Sequence, residues 1–209
     1  MVSDAKFRKI GERAMRRVGS ISGSSLAIIC ATAGAVSAHT GVTATSGFSA
    51  GFGHPIGGLD HVLAMVAVGV WAAQLGGRAT WILPLMFMGV ITFAGSLGVA
   101  GVPLGPVEVG IAASLVVLGG LVAFKTCLPL AVSAGIVGIL ALFHGHAHGA
   151  EMPVTVSGFT YALGFVLATG LLHGLGLGIG PVLGKAWQDA LVRAGGGAIA
   201  ATGLALMIG

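Results

Sequence analysis

From residue 56 to its last residue the chain is a succession of apolar stretches separated by short breaks. A helix that crosses the hydrocarbon core of a bilayer needs about 20 mostly apolar residues. Stretches at about 56–75, 80–99, 107–124, 127–147, 156–178 and 189–208 meet that requirement. The breaks carry Gly76-Gly77, Gly101 to Pro106, Pro153 and Gly178 to Pro181, residue types that punctuate helices. Inside lipid every backbone polar group must be satisfied within the protein, so helices are the natural spanning structure for such stretches. The pattern predicts an all-α membrane protein, a compact bundle of six transmembrane helices.

Composition agrees. Charged residues make up 8% of the 209 residues and apolar residues 56%, against about 25% charged in a typical soluble domain. A soluble domain this small cannot bury so much apolar surface, and no room is left for a separate soluble domain. The 38 glycines fit a bundle in which small residues let helices approach closely.

The net charge of +4 does not mark a nucleic-acid site, because its distribution is that of a targeting segment. Lys6, Arg8, Lys9, Arg13, Arg16 and Arg17 lie at the start, while Arg78, Lys125, Lys185 and Arg193 are scattered singly. After Arg17 come an apolar run from Ile21 to Ala35 and the small-residue pattern Val36-Ser37-Ala38. This is the layout of a cleavable secretory signal peptide, with an uncleaved signal anchor as the other reading. The expected organisation is therefore a signal peptide at 1–38 and a six-span transmembrane domain at 39–209. Cleavage after Ala38 makes His39 the new N-terminal residue, whose α-amine and imidazole can chelate a metal together. It also leaves Cys127 as the only cysteine, so no internal disulfide is expected.

A cleaved signal places the new N-terminus outside. Arg78, Lys125 and Lys185 then fall in the three inside loops, as the positive-inside rule requires. The expected location is a cytoplasmic (inner) membrane, multi-pass, with the mature N-terminus and the C-terminus both on the periplasmic side.

Ionisable residues inside spans are costly and mark function, and here they cluster. The segment His54-Pro55-Ile56-Gly57-Gly58-Leu59-Asp60-His61 opens the first span. Pro55 suits a first helical position, Asp60 lies near the positive end of the helix dipole, and His54 and His61, seven apart, fall on one side of a continuous helix. The segment Phe143-His144-Gly145-His146-Ala147-His148-Gly149-Ala150-Glu151 closes the fourth span. His144 and His148 are i, i+4 neighbours, a spacing that offers two imidazoles to one transition-metal ion. Glu151 follows on the same face, and His146 points away. The orientation above brings both segments, and Glu108 at the start of the third span, to the outer face.

Imidazole and carboxylate without thiolate suit Ni²⁺, Co²⁺, Zn²⁺ or Cu²⁺. The expected metal-site residues are His39, His54, Asp60, His61, His144, His148 and Glu151; a structural hydrogen-bond network is the alternative for them. His173, alone in the fifth span, reads either as a relay ligand deeper on the path or as a helix–helix hydrogen-bonding residue, the second being preferred. Met65, Met86, Met88 and Met207 read as packing residues.

At these residues the chain resembles the HupE/UreJ family of nickel and cobalt permeases. Its first-span motif matches His54-Pro55, Gly58 and Asp60-His61. Its fourth-span motif, Phe-His-Gly-x-Ala-His-Gly-x-Glu, matches Phe143 to Glu151 at every fixed position. The resemblance covers essentially the whole mature chain. It implies a secondary permease for Ni²⁺, with Co²⁺ as a further cargo, supplying hydrogenase or urease maturation. It implies functional roles for His54, Asp60, His61, His144, His148 and Glu151, and none for His146. No prosthetic group is expected; the metal ion is cargo. The expected partners are the divalent ion and the lipid bilayer, with self-association left open. A metal-dependent membrane hydrolase is the rival reading, since three histidines and a carboxylate can hold Zn²⁺ and activate water. No large loop for a substrate is evident in the sequence.

Overall fold

The structure, a computed structural model, describes residues 47–183 and 185–209. The signal peptide expected at 1–38 and His39 lie outside the described residues. Among the described residues there are seven helices and no strand: α1 (Gly47–Gly57), α2 (Leu59–Leu75), α3 (Ala79–Val99), α4 (Val107–Ala123), α5 (Leu130–Ala150), α6 (Gly158–Leu183) and α7 (Lys185–Ile208). The all-α class is as the apolar pattern predicts.

Four of these helices, α3, α5, α6 and α7, are long and apolar enough to cross a membrane. The α4 helix is apolar but only 17 residues long. The pair α1 and α2 passes the same test only when taken together, and it is bent by 82°. This corrects the expectation of a continuous first span opening at Pro55. The break is at Gly58, whose backbone is extended (φ −103°, ψ 120°). Pro55 lies inside α1 and not at a first helical position, so His54 and His61 sit on different helices. A second correction concerns Gly178 to Pro181. No turn forms there, and α6 continues to Leu183. Glycine and proline are tolerated within helices of membrane bundles because neighbouring groups re-satisfy the backbone.

Close packing is organised by glycine. The α3 and α5 helices are paired closely, as are α4 and α7, and α6 with both α1 and α2. A Cβ added at Gly145 would run into the Ile91 carbonyl of α3, and one at Gly149 into the Gly95 carbonyl. Likewise, Gly69 of α2 lies against the backbone of His173 and Gly176 of α6. Small residues thus bring backbones into direct contact. The core collects Met65, Val68 and Trp71 of α2, Leu83, Phe87 and Ile91 of α3, and Leu115 and Leu118 of α4. Outward faces stay apolar: Phe93, Phe159 and Ile139 are 60%, 74% and 60% exposed. An apolar outer surface of this kind suits lipid and not water.

At the end of the bundle that carries Arg78 and Lys125, polar groups tie the helix ends together. Lys125 pairs with Asp189 at 2.8 Å. The Arg193 Nε donates to the Ala123 carbonyl, the Trp71 Nε1 to the Thr126 carbonyl and the Gln74 Nε2 to the Val122 carbonyl. Lys185 begins α7.

Candidate metal-transfer site

Asp60 stands in the first turn of α2, two residues past the break at Gly58. Its Oδ1 accepts from the His61 backbone N–H at 2.9 Å and lies 2.8 Å from His61 Nδ1. A carboxylate can only accept, so the Nδ1 of His61 carries the proton. In that tautomer the lone pair is on Nε2, which is buried and has no partner. A carboxylate behind one nitrogen and a free lone pair on the other is the arrangement by which proteins orient metal-binding imidazoles. Gly58 makes it possible. A Cβ there would lie 2.8 Å from both Asp60 Oδ1 and His61 Nδ1.

His144, on α5, is fixed by a different device. Its Nε2 is 2.7 Å from the Ser114 Oγ of α4, and that hydroxyl donates to the Ile111 carbonyl at 2.6 Å. A serine has one O–H. With it committed to Ile111, Oγ accepts from Nε2–H, and the lone pair of His144 lies on Nδ1. That atom, too, is buried and unpartnered. His148, one turn further along α5, has neither ring nitrogen paired.

These three rings touch. His61 and His148 have centroids 4.2 Å apart, and His61 and His144 4.9 Å apart, edge to face. His54 of α1 joins at 4.7 Å from His148. Its Nε2 pairs with the Glu151 Oε2 at 3.2 Å, so the residue that caps α5 is tied to the helix before the break. The two halves of the bent pair therefore both deliver a histidine to His148. The bend, not a shared helix face, is what lets residues 54 and 61 do so.

The structure thus brings together His54, Asp60, His61, His144, His148 and Glu151. Among the described residues no three His, Cys, Asp or Glu side chains stand in a ready metal-holding geometry. The imidazoles are packed ring on ring, and rotation of their side chains is needed before their lone pairs converge. His146 turns away, with its Nε2 2.7 Å from the Val102 carbonyl. Glu108, in the first turn of α4, lines with Asp60 a separate cavity of about 160 Å³. His173 does not make the helix–helix hydrogen bond preferred for it above: both of its ring nitrogens are unpartnered.

Four residues of the surroundings escape motif reading. Ser114 holds His144. The rings of Tyr161 and Phe165 of α6 lie against His54 and His148, and Phe87 of α3 against His144. A hydroxyl in the apolar run that follows Glu108 in α4 was the one available signal.

The description "HupE / UreJ protein" is that of the family whose sequence pattern matches residues 26–206. The chain belongs to the HupE/UreJ family. Within it, the chain is 49% identical over 173 residues to Protein HupE of Rhizobium leguminosarum bv. viciae, covering 82% of this chain and 90% of that one. No solved structure matches. With its apolar helices, family membership makes this a multi-pass membrane protein.

Proposed function

We propose that the chain is a secondary permease that imports Ni²⁺, and Co²⁺ as a second cargo, across the inner membrane to supply hydrogenase or urease maturation. The observation that carries this reading is the group of buried, unpartnered imidazole lone pairs on His61 Nε2, His144 Nδ1 and His148, two of them with their tautomers held by Asp60 and Ser114. Unpaired polar atoms in a bundle interior cost about 1–3 kcal/mol each, and a borderline metal ion is the partner that nitrogen donors and nearby carboxylates suit. Membership of the HupE/UreJ family supports the same cargo.

In this reading the count of spans is six: α3 to α7, with the bent pair α1 and α2 as the first. The α4 helix crosses as a short span. The orientation follows the basic residues, with Arg78, Lys125 and Lys185 inside, and the histidine group toward the outside. His39, freed by signal cleavage, would lie on the same side and help gather the ion. His54 and Glu151, the more exposed pair (side chains 26% and 56% exposed), receive the ion first. His61, His144 and His148 hold it next. Passage requires binding weak enough for release, which three closely packed imidazoles without a ready geometry provide. The membrane potential alone favours entry of a divalent ion by about 4.6 kcal/mol per 100 mV.

Uptake of ⁶³Ni²⁺ at submicromolar nickel, in cells lacking their own nickel importers, tests the proposal. Wild type is expected to import and His61→Ala and His148→Ala to fail at equal expression. Absence of uptake by properly inserted wild type refutes nickel import.

A further inference from the structure

Beyond the histidine group, α6 carries a second line of polar atoms. Tyr161, Phe165, Thr169 and His173 recur every four residues, so they share one face of the helix, and all four are at most 5% exposed. The face starts at the histidine group, where Tyr161 lies against His54 and Phe165 against His148 at 4.5 Å. It ends at His173, two turns further into the bundle than Phe165. Along it the Tyr161 hydroxyl, Thr169 Oγ1 and both nitrogens of His173 have no hydrogen-bond partner. Packing alone does not account for these groups, since a leucine would fill the same space without stranding buried nitrogens.

His173 is also linked to the histidine group on its other flank. The fully buried Phe87 ring stands edge-on to His173 at 5.1 Å and 6.0 Å from His144. One aromatic ring therefore separates two imidazoles, each with a free nitrogen turned to no partner. The His173 carbonyl packs on Gly69 of α2, where even a Cβ would not fit, so the backbone there is closely held.

We infer that His173, with Thr169 one turn nearer the outer group, forms an inner station that accepts a divalent transition-metal ion from His144 and His148 past the ring of Phe87. The inference rests on the permease reading and adds a site to it. A single imidazole with a hydroxyl is a weak binder. Weakness is what a relay position needs, because an ion held by several strong ligands would not leave. Phe87 acts as the apolar barrier that keeps the two positions distinct.

The test uses the full chain in lipid nanodiscs and in importer-deficient cells, with wild type, His173→Leu, His173→Ala and His61→Ala. Removing an imidazole that contacts the ion is expected to lower ⁶³Ni²⁺ uptake by roughly tenfold or more in both His173 variants. Equilibrium dialysis with nickel is expected to keep the tighter bound ion at wild-type affinity in His173→Leu and to lose a weaker one. Uptake restored by leucine but not by alanine would show a packing role and overturn the inference. So would equal numbers of bound ions in wild type and His173→Leu, or a His173→Leu chain that loses the tighter ion as His61→Ala does. Wild type that imports no nickel refutes the permease reading, whereas the count of bound ions still decides the inner station.

Discussion

Ser114 gives the sharpest test of how the histidine group is prepared. It touches no carboxylate and lies in no motif, yet its Oγ is 2.7 Å from His144 Nε2 and 2.6 Å from the Ile111 carbonyl. Both side chains are fully buried. Ser114→Ala removes the only acceptor for the Nε2–H of His144. That group then pays the desolvation cost of an unpaired buried donor, about 1–3 kcal/mol. The other tautomer places the proton on Nδ1, which has no partner either, and withdraws the lone pair from the neighbouring histidines. Either route is paid at the metal site. At about 1.4 kcal/mol per tenfold, nickel affinity should fall by roughly five- to a hundredfold. The assay is equilibrium dialysis of ⁶³Ni²⁺ with purified protein in nanodiscs, with a thermal melt to verify folding. The double variant Ser114→Ala/His144→Ala should bind no worse than His144→Ala, because Ser114 acts only through that ring. Affinity within twofold of wild type in Ser114→Ala, or a double variant clearly worse than His144→Ala, refutes the tautomer argument.

Gly58→Ala sets a Cβ 2.8 Å from Asp60 Oδ1 and His61 Nδ1; uptake should fall as in Asp60→Ala, whereas Gly57→Ala, with nothing within 4 Å, should import at near wild-type rate. Equal uptake by the two glycine variants would show that the Asp60–His61 contact is dispensable. Gly149→Val pushes side-chain atoms into the Gly95 carbonyl of α3 and should prevent accumulation of folded protein in the membrane, read by quantitative blotting; Gly135→Val, in open space, should accumulate normally. Lys125→Ala breaks an exposed ion pair with Asp189, worth less than about 1 kcal/mol, so melting temperature and uptake should both stay close to wild type, and loss of uptake would show that the pair takes part in transport.

The legibility of the fold divides by physical cause. Long apolar helices announce themselves, because lipid demands length and uniform apolarity: α3 and α5 follow from the residue pattern with small shifts at their ends, and α6 and α7 follow except that the helix runs through the break expected at Gly178 to Pro181. The short α1 does not. Its eleven residues are too few to be stable alone, and what holds them is tertiary: Gly51 against the Tyr161 carbonyl and Gly164 against the Phe48 carbonyl. With α1 invisible, His-Pro reads as a helix start and the bend at Gly58 is missed. The identity of the clustered residues survives that error, since His54 and His61 both reach His148, though from two helices and by way of the bend. The same limit hides Ser114 and Phe87. Spacing along a helix reveals which residues share its face, but not which residue of another helix faces them. His144 needs a hydroxyl thirty residues away, and only the α4–α5 packing supplies it. The preparation of the site, in the tautomers fixed by Asp60 and Ser114, therefore belongs to the bundle and not to either motif. That is why exchanging a motif histidine tests the site's presence, and exchanging Ser114 or Gly58 tests its construction.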